Sequence, residues 1–406
     1  MAGATIDHMI SVTILIAALL VAMVTYNHMF AIAVDYDRNR QVANKAVDLM
    51  NTICLSPGSP TNWGETNASV LGFGLQDPQA GGYALSPYSI MRLNTANTGD
   101  NTSQLVYYEK TGTFYNNIST NYGHAILIPV GDCVNYTTAA ELLGINGTYG
   151  FNIDIAPTLN VLVSQVATNP LKLNVEVRGS GMPLSGATLN YFLFHVNKIE
   201  DVDFPLIFSY SNVTQTGSSG SVDIEFSEVT GNDPVYSFAV YVSLGGINGV
   251  GYYTTNTISN ETFIVPLIED YNQGKLLLAH SWDFIFPGQQ AEVKFNATFY
   301  VLTPNFQLQY FDLNCTGHLN SGWGFPFART QIPSSEVGLL VIAYMKNPNQ
   351  MGSIIVPWGV GALGVSASFG GGIGSSGYDF VATELRQVTI DGISYQVKVS
   401  AWSLRG

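Results

Sequence analysis

Residues Met9 to Val34 limit this chain more than any other stretch. MISVTILIAALLVAMVTYNHMFAIAV holds 26 residues with no Gly, no Pro and no formal charge. As a helix it would be about 39 Å long at ~1.5 Å per residue, enough to cross a hydrocarbon core of roughly 30 Å with some tilt. At Asp35 the pattern changes without a break. In DYDRNRQVANKAVDLMNTICL the apolar residues Val42, Ala46, Leu49 and Ile53 recur at helical spacing, with Ala43 and Met50 beside them. Arg38, Arg40, Lys45 and Asp48 take the polar sides, and SPGSP at Ser56 to Pro60 ends the pattern because proline cannot extend a helix. The expectation is one helix over 1–55, apolar all round at one end and one-faced at the other.

The rest of the chain lacks long helical periodicity and reads as mainly β. Over 56–156, SQLVYYEK, YGHAILIPV and TYGFNIDIA are strand-like runs, and Thr138 to Leu143 is a short helix stopped by Gly144. Over 157–257, Leu171, Leu173, Val175 and Val177 alternate with polar residues. A turn at Gly179 to Pro183 follows, and Ala187, Leu189 and Tyr191 resume the alternation. Several short strands in such a segment, joined by Gly-rich turns, predict a β-sandwich. The segment 258–406 is a further run of strands ending in QVTI-DG-ISYQVKVSAW, where Asp391-Gly392 fits a type I′ hairpin turn.

The residues at the start resemble a known family. MAG followed by ATIDHMISVTILIAALLVAM, the amphipathic helix, SPGSPTNWG and YALSPYSIMRL is similar to archaeal type IV pilin-like proteins with class III signal peptides, over residues 1–156. The resemblance implies cleavage between Gly3 and Ala4, a helix that packs in a filament core, and Asp7 as the acid that meets a new amine during assembly. It implies a pilin-like head over 56–156. MPLSGATLNYFL followed by SGSVDIEF resembles the Ig-like repeats of bacterial and archaeal surface proteins, which implies an Ig-like module used as a spacer or adhesive stalk. Two other readings of the first helix stay open. One is a permanent single-pass anchor; the other is a secretory signal cut after Ala31-Ile32-Ala33.

Composition narrows the function classes. Charged residues are only 11% of the chain, and 29 acids against 15 bases give a net charge of −14, without the Lys/Arg cluster that nucleic acid demands. A surface built from Ser, Thr, Asn, Gly and Tyr suits an extracytoplasmic body. Nine Asn-x-Ser/Thr sequons, at Asn67, Asn101, Asn117, Asn135, Asn146, Asn212, Asn260, Asn296 and Asn314, all lie beyond the helix and are glycosylation candidates. Arg38, Arg40 and Lys45 point the other way, since basic residues flanking a span favour the cytoplasmic side. Three cysteines are too few for a disulfide scaffold; either Cys54 and Cys133 form one bridge or the thiols stay free.

No catalytic constellation emerges, so the expectation is a protein that is not an enzyme and takes no cofactor or metal. Gly372-Ile373-Gly374-Ser375-Ser376-Gly377 matches GxGxxG but is followed by strand-like YDFVATEL, not by the helix a dinucleotide site needs. Cys315 and His318 offer one pair of metal ligands but need a second pair from elsewhere, and His280 with Asp283 lacks a serine elbow. The reading is a structural surface subunit, pilin-like, with membrane and self-assembly partners and an unknown surface ligand. A monomeric membrane-anchored surface protein is the alternative, and a secreted polysaccharide-acting enzyme a third class.

Overall fold

The computed structural model describes residues 2–66, 68–93, 105–108, 111–119, 125–129, 134–199, 201–231, 234–255, 264–270, 273–280, 292–320, 327–333, 336–347, 350–358, 367–371 and 380–404. Helix α1 (Ala2–Leu55) leads through a loop to α2 (Pro87–Met91), then to β1 (Leu105–Tyr108), β2 (Thr113–Ser119), β3 (Ala125–Pro129), α3 (Tyr136–Leu142) and β4 (Tyr149–Pro157). Next come β5 (Leu159–Thr168), β6 (Leu171–Gly179), β7 (Met182–Pro183), β8 (Thr188–Asn197), β9 (Leu206–Gln215), β10 (Ser221–Phe226), β11 (Val235–Leu244) and β12 (Ile247–Thr255). The remaining strands begin with β13 (Ile264–Asp270), β14 (Lys275–His280), β15 (Val293–Leu302), β16 (Leu308–Leu319) and β17 (Phe327–Gln331). They end with β18 (Gly338–Asn347), β19 (Gln350–Trp358), β20 (Ala367–Gly370), β21 (Val381–Ile390) and β22 (Ile393–Ser403). The protein is thus mainly β behind one long helix.

α1 runs unbroken because no Gly or Pro falls between Ala4 and Ser56. Its last turns pack on a four-stranded antiparallel sheet of order β20-β4-β22-β21. Val42, Ala46, Leu49, Met50, Ile53 and Cys54 are buried there in one core with Val388, Ile390, Val397 and Val399. At ~1.5–3 kcal/mol per large apolar side chain, that face stabilises the helix by several kcal/mol. Arg386 of β21 ties the seam, donating to Asn51 Oδ1 at 2.9 Å and to the Tyr83 hydroxyl at 2.8 Å.

The sandwich segment folds as two sheets, an outer one of order β10-β6-β5, with β7 on β6, and an inner one of order β12-β11-β8-β9. Leu171, Leu173, Val175 and Val177 all face inward onto Leu189, Leu193, Phe238 and Val240. The inner sheet has a second partner. β11 is buried along eight consecutive residues, Val235 to Val242, because its other face lies on a sheet of order β16-β15-β18-β19. Phe194 and Tyr300 meet across that seam at 4.8 Å, and the buried hydroxyls of Ser237 and Ser353 are 2.6 Å apart. That third sheet packs in turn on the six-stranded sheet β1-β2-β3-β13-β14-β17, through Val293, Phe295, Ile342 and Ile354 against Ile264, Ile268, Leu276 and Leu278.

Strand pairing links segments that are far apart in the chain: β4, within 56–156, pairs with β20 and β22, and β3 pairs in parallel with β13. The inner sheet of the sandwich is covered on both sides. At the β21–β22 turn the expected geometry is present, with φ of 47° at Asp391 and 78° at Gly392. The turn is also a joint. Asn248 of β12 donates to the Gly392 carbonyl at 3.1 Å, its amide donates to Ser394 Oγ at 3.1 Å, and the Thr158 amide donates to the Ser394 carbonyl at 2.9 Å.

Candidate anchoring and assembly helix

Every residue from Met9 to Val34 is exposed, with Leu15 at 61%, Val24 at 68% and Phe30 at 62%. Water does not tolerate such a surface on an isolated protein, because an uninterrupted apolar patch of this size seeks lipid or other apolar helices. α1 is the one helix among the described residues that is long and apolar enough to cross a membrane. Its polar side chains are partly satisfied from within. Thr13 Oγ1 donates to the Met9 carbonyl and Thr25 Oγ1 to the Val21 carbonyl, both at 2.8 Å, which suits hydroxyls in an apolar medium. Gly3, Ala4 and Asp7 fall in the first two turns of α1, where the structure describes backbone alone.

The far end of the helix is fastened by a loop collar. The Leu75 amide donates to the Ile53 carbonyl at 2.8 Å and the Gln76 amide to the Ser56 carbonyl at 3.0 Å, which satisfies groups that a helix end leaves open. Trp63 Nε1 bridges the collar, donating to the carbonyls of Pro57 at 3.0 Å and Gly74 at 3.1 Å. Buried Arg92 closes it from below, donating to the main-chain carbonyls of Trp63, Thr66 and Ala68. Gly64 makes that approach feasible: a Cβ there would lie 2.5 Å from the Ser89 amide nitrogen. The stretches NWG and SPYSIMRL are therefore two halves of one lock on the helix end. Spacing in the chain gave no sign that Trp63 and Arg92 meet.

Other candidates sort by position. Cys54 is a free, buried thiol whose Sγ lies 3.5 Å from Met50 Sδ, and burial pushes its pKa up to about 11, with Arg386 opposing. Cys133 lies outside the described residues, as do Asn67, Asn101, Asn260, Asp283 and the glycine run 372–377. Cys315 is a free, half-buried thiol on β16; with His318 three positions on, the two side chains point to opposite faces of the strand. His280 is buried, and among the described residues no three His, Cys, Asp or Glu side chains gather in a metal-binding group. Asn135, Asn146, Asn212 and Asn314 are exposed, Asn296 is half-buried, and Asn117 lies on β2 with its backbone alone described. Asn135 caps α3, accepting the Thr138 amide at 2.8 Å.

No family model matches the chain, and no curated protein matches it. Among solved structures, it is similar to a two-domain fibronectin type III segment from chicken tenascin, at 9% identity and a TM-score of 0.15, over 50% of this chain and 99% of that one. It is also similar to a transglutaminase from red sea bream, at 9% identity and a TM-score of 0.16, over 61% of this chain and 37% of that one. At this identity and these scores, neither likeness assigns a fold or a family.

Proposed function

We propose that this chain is a structural cell-surface subunit, pilin-like, that assembles through α1 and holds its β layers outside the membrane. The observation that carries the reading is the division of one unbroken helix. Its apolar half is uncovered on every side, while its last turns are built into the β body. A removable signal would not need its continuation to be a core member of the folded body. A plain membrane anchor fits the same division, and the two differ in how the helix begins.

Cleavage after Gly3 would leave a new amine at Ala4 among apolar helices, where an unpaired charge costs several kcal/mol. Asp7 is the acid within reach, in its own chain or a neighbour's. N-terminal sequencing of the native protein separates the readings: a start at Ala4 supports the pilin-like subunit, a start at Met1 or Ala2 the anchor, and a start at Val34 overturns both. With the pilin-like start, Asp7→Ala should impair filament assembly and leave membrane insertion unchanged. The role is structural, with no cofactor.

A further inference from the structure

Strands β9 and β16 each end a sheet and are paired on one side only among the described residues; β9 lies against β15, and β17 lies beside β16. The chain entering β9 lies against β15 and β16: Asn296 Nδ2 donates to the Pro205 carbonyl at 3.1 Å, Lys294 pairs with Asp203 at 3.5 Å, and the Phe204 and His318 rings are 5.8 Å apart. Further along, Ser209 hydrogen-bonds the Tyr300 hydroxyl, and Tyr300 meets Tyr310 at 6.0 Å. This flank exposes apolar surface, with Val213 at 52% and Tyr310 at 66%. Unpaired edges with apolar side chains invite pairing with another chain unless something covers them.

Two sequons stand on these edges. Asn212 is exposed on β9, three residues and so about 10 Å beyond Ser209. Asn314 is exposed on β16 with φ of 46°, in the bulge opposite Ala297 to Phe299. They bracket the level of Tyr300 and Tyr310. Thr214 is half-buried and Thr316 exposed. Asn212 Oδ1 accepts the Val213 amide and its side chain also meets the Tyr191 hydroxyl, yet it keeps its solvent face. Asn296, one strand inward, differs. It is half-buried, and its sequon hydroxyl, Thr298, is buried.

We infer that Asn212 and Asn314 are acceptors of N-linked oligosaccharide, and that the two glycans cover the β9 and β16 edges while Asn296 stays bare. The inference rests on the outside placement proposed above. The donor is a lipid-phosphate-linked oligosaccharide. The asparagine amide nitrogen forms a bond to the anomeric carbon, the carbon–oxygen bond to phosphate breaks, and the amide proton leaves with the lipid phosphate.

Peptide mass mapping of the native full-length protein, beside protease treatment of intact cells, tests this. Expected are sugar on the Asn212 and Asn314 peptides, none on Asn296, and a body cut from outside. Sugar on Asn296, or bare Asn212 or Asn314, in a body that is cut from outside overturns the inference and leaves the placement standing. A body cut only after permeabilisation overturns the placement and this inference with it. The double variants Asn212→Gln with Asn314→Gln, and Thr214→Ala with Thr316→Ala, should both shift to larger species on sedimentation in detergent. If both sediment as the parent does, the glycans do not shield these edges.

Discussion

The guanidinium of Arg92 donates to the main-chain carbonyl of Trp63 and lies 5.3 Å from the centre of its indole ring, with both side chains buried. Three main-chain carbonyls share its charge. Arg92→Ala would leave those carbonyls without a donor in a closed site, at a cost of about 3 kcal/mol or more. The thermal midpoint of the detergent-solubilised protein should fall by several degrees, and Arg92→Lys, which reaches fewer carbonyls, should restore only part of it. An unchanged midpoint for Arg92→Ala would remove the collar from the account of stability.

Gly392 has open space around it: no atom lies within 4 Å of where a Cβ would stand, yet its φ is 78°. Conformation alone therefore sets the effect of a side chain there. Gly392→Val should cost ~1–2 kcal/mol, and Gly392→Asn less, because asparagine tolerates the left-handed region. Denaturant unfolding of the two variants checks the order; equal stabilities would mean the turn relaxes into another form.

Asp391, beside this glycine, has its carboxyl pushed up to about 7, first by burial and then by the charge of Asp77. The folded state thus favours the protonated acid more than the unfolded chain does. Its contribution is full below the ordinary carboxylate range of ~4 and is lost as pH rises to about 7. Melting curves from pH 4 to 8 should show the parent losing stability relative to Asp391→Asn across that window. Parallel curves would show that the carboxyl ionises without penalty.

Burial raises the Cys54 pKa to about 11, so almost no thiolate exists at neutral pH. The folded protein should leave Cys54 unlabelled by iodoacetamide at pH 7.5, and unfolding should expose it to full labelling. Non-reducing peptide mapping in the same experiment reports whether Cys54 is joined to Cys133. Rapid labelling in the folded state would contradict the packing of the helix seam.

The helix was legible because its evidence is local: a charge-free run, a 3–4 spacing from Val42 to Ile53, and a proline stop. The Asp391-Gly392 turn and the alternation at Leu171 to Val177 were legible for the same reason. Sheet membership was not. Nothing near Ile153 states that its neighbour is Val399, because strand pairing over such a separation leaves no periodic trace in either segment. The largely apolar runs VYSFAVYV and GLLVIAYM mark strands covered on both faces, as β11 and β18 are. Arg92 was hidden for another reason: an arginine that spends its donors on carbonyls looks, in sequence, like any surface arginine.

Arg386 and Asn51, which share a hydrogen bond across the helix–sheet seam, are 335 residues apart in the chain. A ribosome therefore makes the packing face of the helix long before it makes the strands that cover it. During that interval Val42, Leu49 and Ile53 lack the β21 and β22 side chains that cover them, and the helix cannot complete its packing. Only a chain translated through β22 can cover that face, so a product that stops early carries a standing mark of incompleteness at its helix.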